Sequence, residues 1–323
     1  MSLFKNIYQE TDDKVVQDIS RRSFLKHSSC GMLGMMALND MMAAEEAQQL
    51  PQFPGTAKKV IFLHMAGAPS QLELFDYKPL LDKMDGKPCP QSYLEGKKLA
   101  FSKGIPDMLG PQHKFHKYGQ SGTYVSDLLP HFQSIVDEVT MIKSMHTDQF
   151  NHAPAQLLMH TGFPRLGRPS MGSWMTYGLG SENNNLPSYI SLISGGKVPS
   201  AGKSVWGSGF LPSFYQGVQC RAQGEPVMYS ANPKGINRDL RRRTIDAIND
   251  MNRIQHAEAK DPETLARISQ YEMAFRMQMS VPEAMDISKE PQYIRDMYGA
   301  EPGKASFANN CLLARRLIER DVR

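Results

Sequence analysis

The chain has 323 residues, 41% of them hydrophobic and 22% charged. That is a globular composition and excludes a disordered or low-complexity protein. The net charge of +4 is too small a bias to mark a nucleic-acid-binding protein or an anionic-membrane protein.

The first element is an export signal. Ser20-Arg21-Arg22-Ser23-Phe24-Leu25-Lys26 places two adjacent arginines before a Phe-Leu pair. A weakly apolar stretch follows from Cys30 to Leu38, and Ala43, Ala44 and Ala47 offer a cleavage region. A polar leader, paired arginines, a short apolar stretch and small residues, in that order, are the parts of a twin-arginine signal. The bland alternative, an amphipathic helix with a chance Arg pair, accounts for fewer of these parts. Residues 1–47 are therefore expected to address the chain to the Tat translocase, and residues 48–323 to work in the periplasm or outside the cell. The apolar stretch is far shorter than the roughly 18 residues of a membrane span, so the mature chain is expected to have no stable span. Cys89, Cys220 and Cys311 lie beyond the signal, too far apart for a C-x-x-C motif. An oxidising compartment would allow one disulfide among them, its pairing open.

Gln48 to Thr56, with Pro51, Pro54 and Gly55, reads as a linker. Lys59-Val60-Ile61-Phe62-Leu63-His64-Met65 is a continuous apolar run of the kind that forms a buried parallel strand. It ends in Ala66-Gly67-Ala68-Pro69-Ser70, and strand ends of this kind carry sites in open α/β sheets. Asp76 to Tyr124, rich in Lys, Gly and Pro, predicts a surface excursion. Ser126 would cap a helix with Leu128, Leu129, Phe132, Ile135, Val136 and Val139 on its apolar face. Thr140 to Ser144 reads as the next strand, and Pro154 opens a helix that runs to His160 and stops at Gly162. A small-residue helix covers Met171 to Leu179, and Leu186 to Ile193 reads as a third strand. A glycine-rich loop spans Ser194 to Phe214. Two long helices follow, the second starting at Asp261-Pro262-Glu263, and a last helix spans Phe307 to Arg320. Alternating strands and helices predict an α/β fold with a mainly parallel sheet flanked by helices.

The densest polar group is Met145-His146-Thr147-Asp148-Gln149-Phe150-Asn151-His152. His146, Asp148 and His152 share a loop before a helix, with His64, Asp76 and His160 as further candidates. Imidazole and carboxylate suit zinc, and imidazole also serves as a base. Loop hydrogen bonding by the same side chains is the competing reading. Arg238, Arg241, Arg242 and Arg243 could meet phosphate, or simply form a solvated helix start. Ser194 to Lys197 could cradle an anion, and Trp174 and Trp206 could stack on a sugar or fill a core.

Taken together, Ser20 to Lys26, Ala66 through Pro79, Met145 to His152 and on to Gly162, and Pro169-Ser170-Met171-Gly172-Ser173-Trp174 through Pro187 resemble the DUF1501 family, exported proteins often described as sulfatase-like. That family is similar in fold to the alkaline phosphatase superfamily. The resemblance implies a divalent metal, zinc or calcium, and a sulfate or phosphate ester, for instance of a polysaccharide, as substrate. His146 and Asp148 would then bind metal, and His152 would be the catalytic ligand, base or nucleophile. The superfamily has a hydroxyl or thiol nucleophile just before a helix ending in Thr-Gly; counting back from Thr161-Gly162 reaches His152. The family's later Asp-His and His-His motifs would fall beyond Arg323, so residues 48–323 are expected to be the N-terminal portion of the fold, poorly soluble alone. The alternative is a non-catalytic exported binding or assembly protein that retains the fold without the chemistry. No nucleic acid is expected as a partner.

Overall fold

The computed structural model describes residues 55–67, 69–96, 104–194, 198–221, 224, 226–227 and 232–323. The export motif Arg21, Arg22, Phe24 and Leu25 lies outside the described residues. So does most of the Ser194 to Lys197 loop.

Two compact units divide the chain: Leu63–His152, and Ala153–Arg323 together with the described residues up to Phe62. In the first unit, three short helices, α1 (Gln71–Leu74), α2 (Pro79–Met84) and α3 (Gln91–Leu94), precede an antiparallel hairpin of β1 (Phe115–Tyr118) and β2 (Thr123–Ser126). The hairpin is the finding that the sequence reading missed. Gly119 and Gly122 both take positive φ, and the Asp137 carboxylate accepts the backbone N–H groups of Gln120 and Ser121 at the turn. Those backbone bonds, to Gln120 first and then Ser121, pull the Asp137 pKa below its usual value.

Two expectations fail in this unit. The helix from Ser126 is replaced by the end of β2, a four-residue helix α4 (Pro130–Gln133) and a 3-10 turn at Val136–Glu138. Pro130 lacks an N–H and opens a helix rather than continuing one. Ser126 Oγ still accepts from the Leu128 N–H at 3.3 Å, a local turn rather than a helix cap. The strand expected over Thr140 to Ser144 is irregular backbone ending in a turn.

The second unit follows the sequence more closely. Helix α5 (His152–Thr161) stops at Gly162, whose φ is +72°, and α6 (Met171–Leu179) at Gly180, whose φ is +71°. Strands β3 (Ile190–Leu192) and β4 (Val218–Cys220) pair in parallel. Helix α7 (Arg238–Ala259) is capped by Asn237, which accepts from the Leu240 N–H at 2.8 Å. It joins α8 (Pro262–Met285) through Lys260, in the left-handed region, and Asp261, which accepts from the Glu263 N–H. Helices α9 (Gln292–Tyr298) and α10 (Phe307–Ile318) complete the unit; α9, like β4, has no counterpart among the expected elements.

The core gathers Met277, Val281, Ala284 and Met285 of α8, Ile294 of α9, and Leu312, Leu313 and Leu317 of α10 around Leu186, Cys220 and Val322. Ile190, Leu192 and Val218 pack against it. Helices thus cover a parallel strand pair, and the class is mixed α/β. The expected broad sheet is reduced among the described residues to two two-stranded pieces. Lys59 to Met65, expected as a buried strand, is irregular backbone without a ladder among the described residues, and mostly exposed; Val60 donates to the Arg323 carbonyl at 3.0 Å.

Candidate functional site

The side chains read as chemical fall mostly in the Leu63–His152 unit. His146 and Asp148 stand exposed in irregular backbone, and His152 is the exposed first residue of α5. Thr147 between them folds its own loop, its Oγ1 accepting from the Gln149 N–H at 3.1 Å. Asp76 pairs with Lys78 at 2.9 Å. His64 is half-buried, and desolvation lowers its pKa, which favours the neutral imidazole. Among the described residues no group of three His, Cys, Asp or Glu side chains is close enough to hold a metal ion. A cavity of about 430 Å³ lies elsewhere in the unit, against Tyr124, Asp137, Met141 and Lys143. None of the predicted site residues lines it.

The motif Pro169 to Trp174 is held by packing. Ser170 and Ser173 are 0% exposed, and their hydroxyls meet at 2.9 Å. Ser173 Oγ donates to the Gly207 carbonyl at 3.0 Å, and that carbonyl also takes the Ser170 N–H. Gly172 sits where a Cβ would meet the Tyr189 ring at 2.6 Å. The serines at the start of α6 thus tie a helix to a loop, and no solvent path reaches their oxygens.

Trp206 is buried, which assigns it to the core, whereas Trp174 is 45% exposed. Trp174 and Phe210 meet edge to face at 5.6 Å, and Phe210 is 57% exposed. Two members of the basic cluster are engaged by the protein itself. Arg242 bonds both Asp246 and Glu272, and Arg238 and Arg242 lie over the Phe275 ring. These carboxylates raise the Arg242 pKa further. Cys89, Cys220 and Cys311 are free thiols, and burial pushes Cys220 up to about 12.

No described helix is long and apolar enough to cross a membrane. No curated protein and no solved structure matches the chain. The family described as "Protein of unknown function (DUF1501)" matches residues 57–323. That span covers most of the sequence and contains every motif on which the resemblance rested south of the export signal, and the chain belongs to the DUF1501 family.

Proposed function

We propose that this is an exported binding or assembly protein that keeps an alkaline phosphatase-like frame without hydrolytic chemistry. Its ligand is a sulfated or phosphorylated polysaccharide, and the twin-arginine signal carries it to the periplasm or beyond. The observation that carries the reading lies at the start of two helices. Where the resembling hydrolases need a hydroxyl or thiol, α5 begins with the exposed imidazole of His152. The hydroxyl that opens α6, on Ser170, is wholly buried and bonded to Ser173. A nucleophile has to reach its ester. The exposed Trp174 and Phe210 rings offer apolar faces on which sugar rings stack. The anionic class of the ligand comes from the sulfate- and phosphate-ester enzymes that the family resembles.

The test is binding of dextran sulfate to the full chain by calorimetry, with and without EDTA, beside turnover of p-nitrophenyl sulfate and phosphate. Binding indifferent to EDTA and weakened about tenfold by Trp174→Ala is expected, with no turnover. Turnover abolished by EDTA or by His152→Ala would establish the second reading, a zinc- or calcium-dependent ester hydrolase. That reading draws on the placing of His64, His146, Asp148 and His152 in one compact unit, and on the neutral form of His64, which is the form that ligates metals. Replacing Arg21 and Arg22 together by Lys is expected to leave the protein in the cytoplasm, as fractionation would show.

A further inference from the structure

Arg168 is exposed, yet its guanidinium is held in place. It lies over the Phe163 ring, 4.3 Å from the ring centre. Phe163 is itself fixed just past α5, where the Thr161 hydroxyl accepts its N–H at 3.3 Å. Stacking occupies the flat face of a guanidinium and leaves the N–H donors around its rim for an anion. Among the described residues no carboxylate pairs with Arg168 and no carbonyl accepts from its side chain.

The backbone that carries Arg168 also carries the aromatic surface. Pro169, the next residue, is fully buried, and a residue before proline is restricted to extended backbone. A Cβ on Gly209 would lie 2.3 Å from the Arg168 carbonyl carbon, so the glycine lets the chain bring Phe210 up to this segment. The Ser170 N–H donates to the Gly207 carbonyl at 3.0 Å, and the Trp174 N–H donates to the Ser170 carbonyl at 3.0 Å. One anchored stretch of backbone thus holds Arg168 and both exposed rings, Trp174 and Phe210. A group fixed before its ligand arrives loses less freedom on binding than a mobile one.

We propose that Arg168 binds a sulfate ester of the sugar chain that stacks on Trp174 and Phe210. The inference rests on the polysaccharide reading above and adds to it the residue that selects the anion. Stacking on rings reads no charge, so the choice of a sulfated chain over a neutral one falls to the guanidinium. Sulfate is favoured over phosphate by charge and hydration. A sulfate ester carries one negative charge, whereas a phosphate monoester carries about 1.5 to 2 at pH 7. One weakly hydrated guanidinium balances the first and not the second.

The probes are dextran sulfate and a dextran phosphate of matched substitution, titrated into the full chain by calorimetry at several salt concentrations. Arg168→Gln is expected to weaken dextran sulfate binding at least tenfold and to flatten its log–log salt dependence by about one. Arg165→Gln is the control. It removes the same charge from an exposed side chain of the same loop that has no ring stacked on it among the described residues, and it is expected to change binding less than threefold. Both side chains are exposed, so neither variant threatens the fold. Equal losses in the two variants, or tighter binding of dextran phosphate than of dextran sulfate by the parent chain, overturn the proposal. If Trp174→Ala weakens dextran sulfate binding and Arg168→Gln does not, this assignment alone falls. If the parent chain binds no dextran sulfate, the polysaccharide reading falls and takes this assignment with it.

Discussion

Gly209 concentrates the demands of the loop that faces α6. Its φ is +57°, and a Cβ there would lie 2.3 Å from the Arg168 carbonyl carbon. Backbone cannot move aside as a side-chain tip can, so Gly209→Ala is expected to cost about 2 kcal/mol or more in urea unfolding. Asp137 makes a different prediction. Its folded pKa lies below its usual value because it accepts the turn N–H groups of Gln120 and Ser121. Its contribution is then present above the unfolded value of 3.8 and is lost as pH falls towards the folded value. The protection of the Gln120 and Ser121 amides, measured against the intrinsic exchange rate at each pH, should fall over that acid range, and Asp137→Ala should leave them unprotected at every pH. At this scale the sequence pointed to residues whose tasks it left open. Ser170 and Ser173 carried part of the family resemblance, and the fold buries both; Arg242 was open between a phosphate contact and a solvated helix start, and its guanidinium is held by Asp246 and Glu272. Only contacts far apart in sequence reveal such assignments, since Arg242 and Glu272 are 30 residues apart.

Elements whose ends are written locally were legible. Helix α6 occupies the predicted span, and α8 starts at Pro262 behind its Asp261 cap. Caps act within three residues, so they survive whatever the rest of the chain does. Asn237→Ala removes the oxygen that accepts the Leu240 N–H and is expected to lower stability by about 1 kcal/mol, measurable by thermal unfolding. Elements that need a distant partner were not legible. Thr140 to Ser144 has strand composition and no neighbouring strand among the described residues. Without a ladder its backbone takes an irregular course. The β1–β2 hairpin was missed because its signal is Gly119 and Gly122 flanking the turn, a longer connection than the two-residue glycine turns that announce most hairpins. Its stabilising carboxylate, Asp137, arrives 16 residues after the last amide it binds.

For the molecule as a whole, the helices α8, α9 and α10 are drawn together by both apolar packing and one buried cation. Arg316 is 4% exposed; it pairs with Glu290 and donates to the carbonyls of Ala284 and Glu283. Removing the guanidinium leaves the Glu290 carboxylate without this charged partner and takes a donor from the Ala284 and Glu283 carbonyls. Arg316→Met is therefore expected to cost about 3 kcal/mol, with Glu290→Gln milder, both read by denaturant titration. The sequence by itself determined the mixed α/β class, the family, the stops of α5 and α6, the start of α8, and the residues from which a site would have to be built. These rest on local chemistry and on motif spacing, which need no partner. The tertiary structure alone decided which of those residues are reachable. It buried Ser170 and Trp206, left His152 and Trp174 in solvent, and paired β3 with β4. Burial and strand pairing are properties of surfaces meeting across the whole chain, and no local pattern of residues fixes where those surfaces meet.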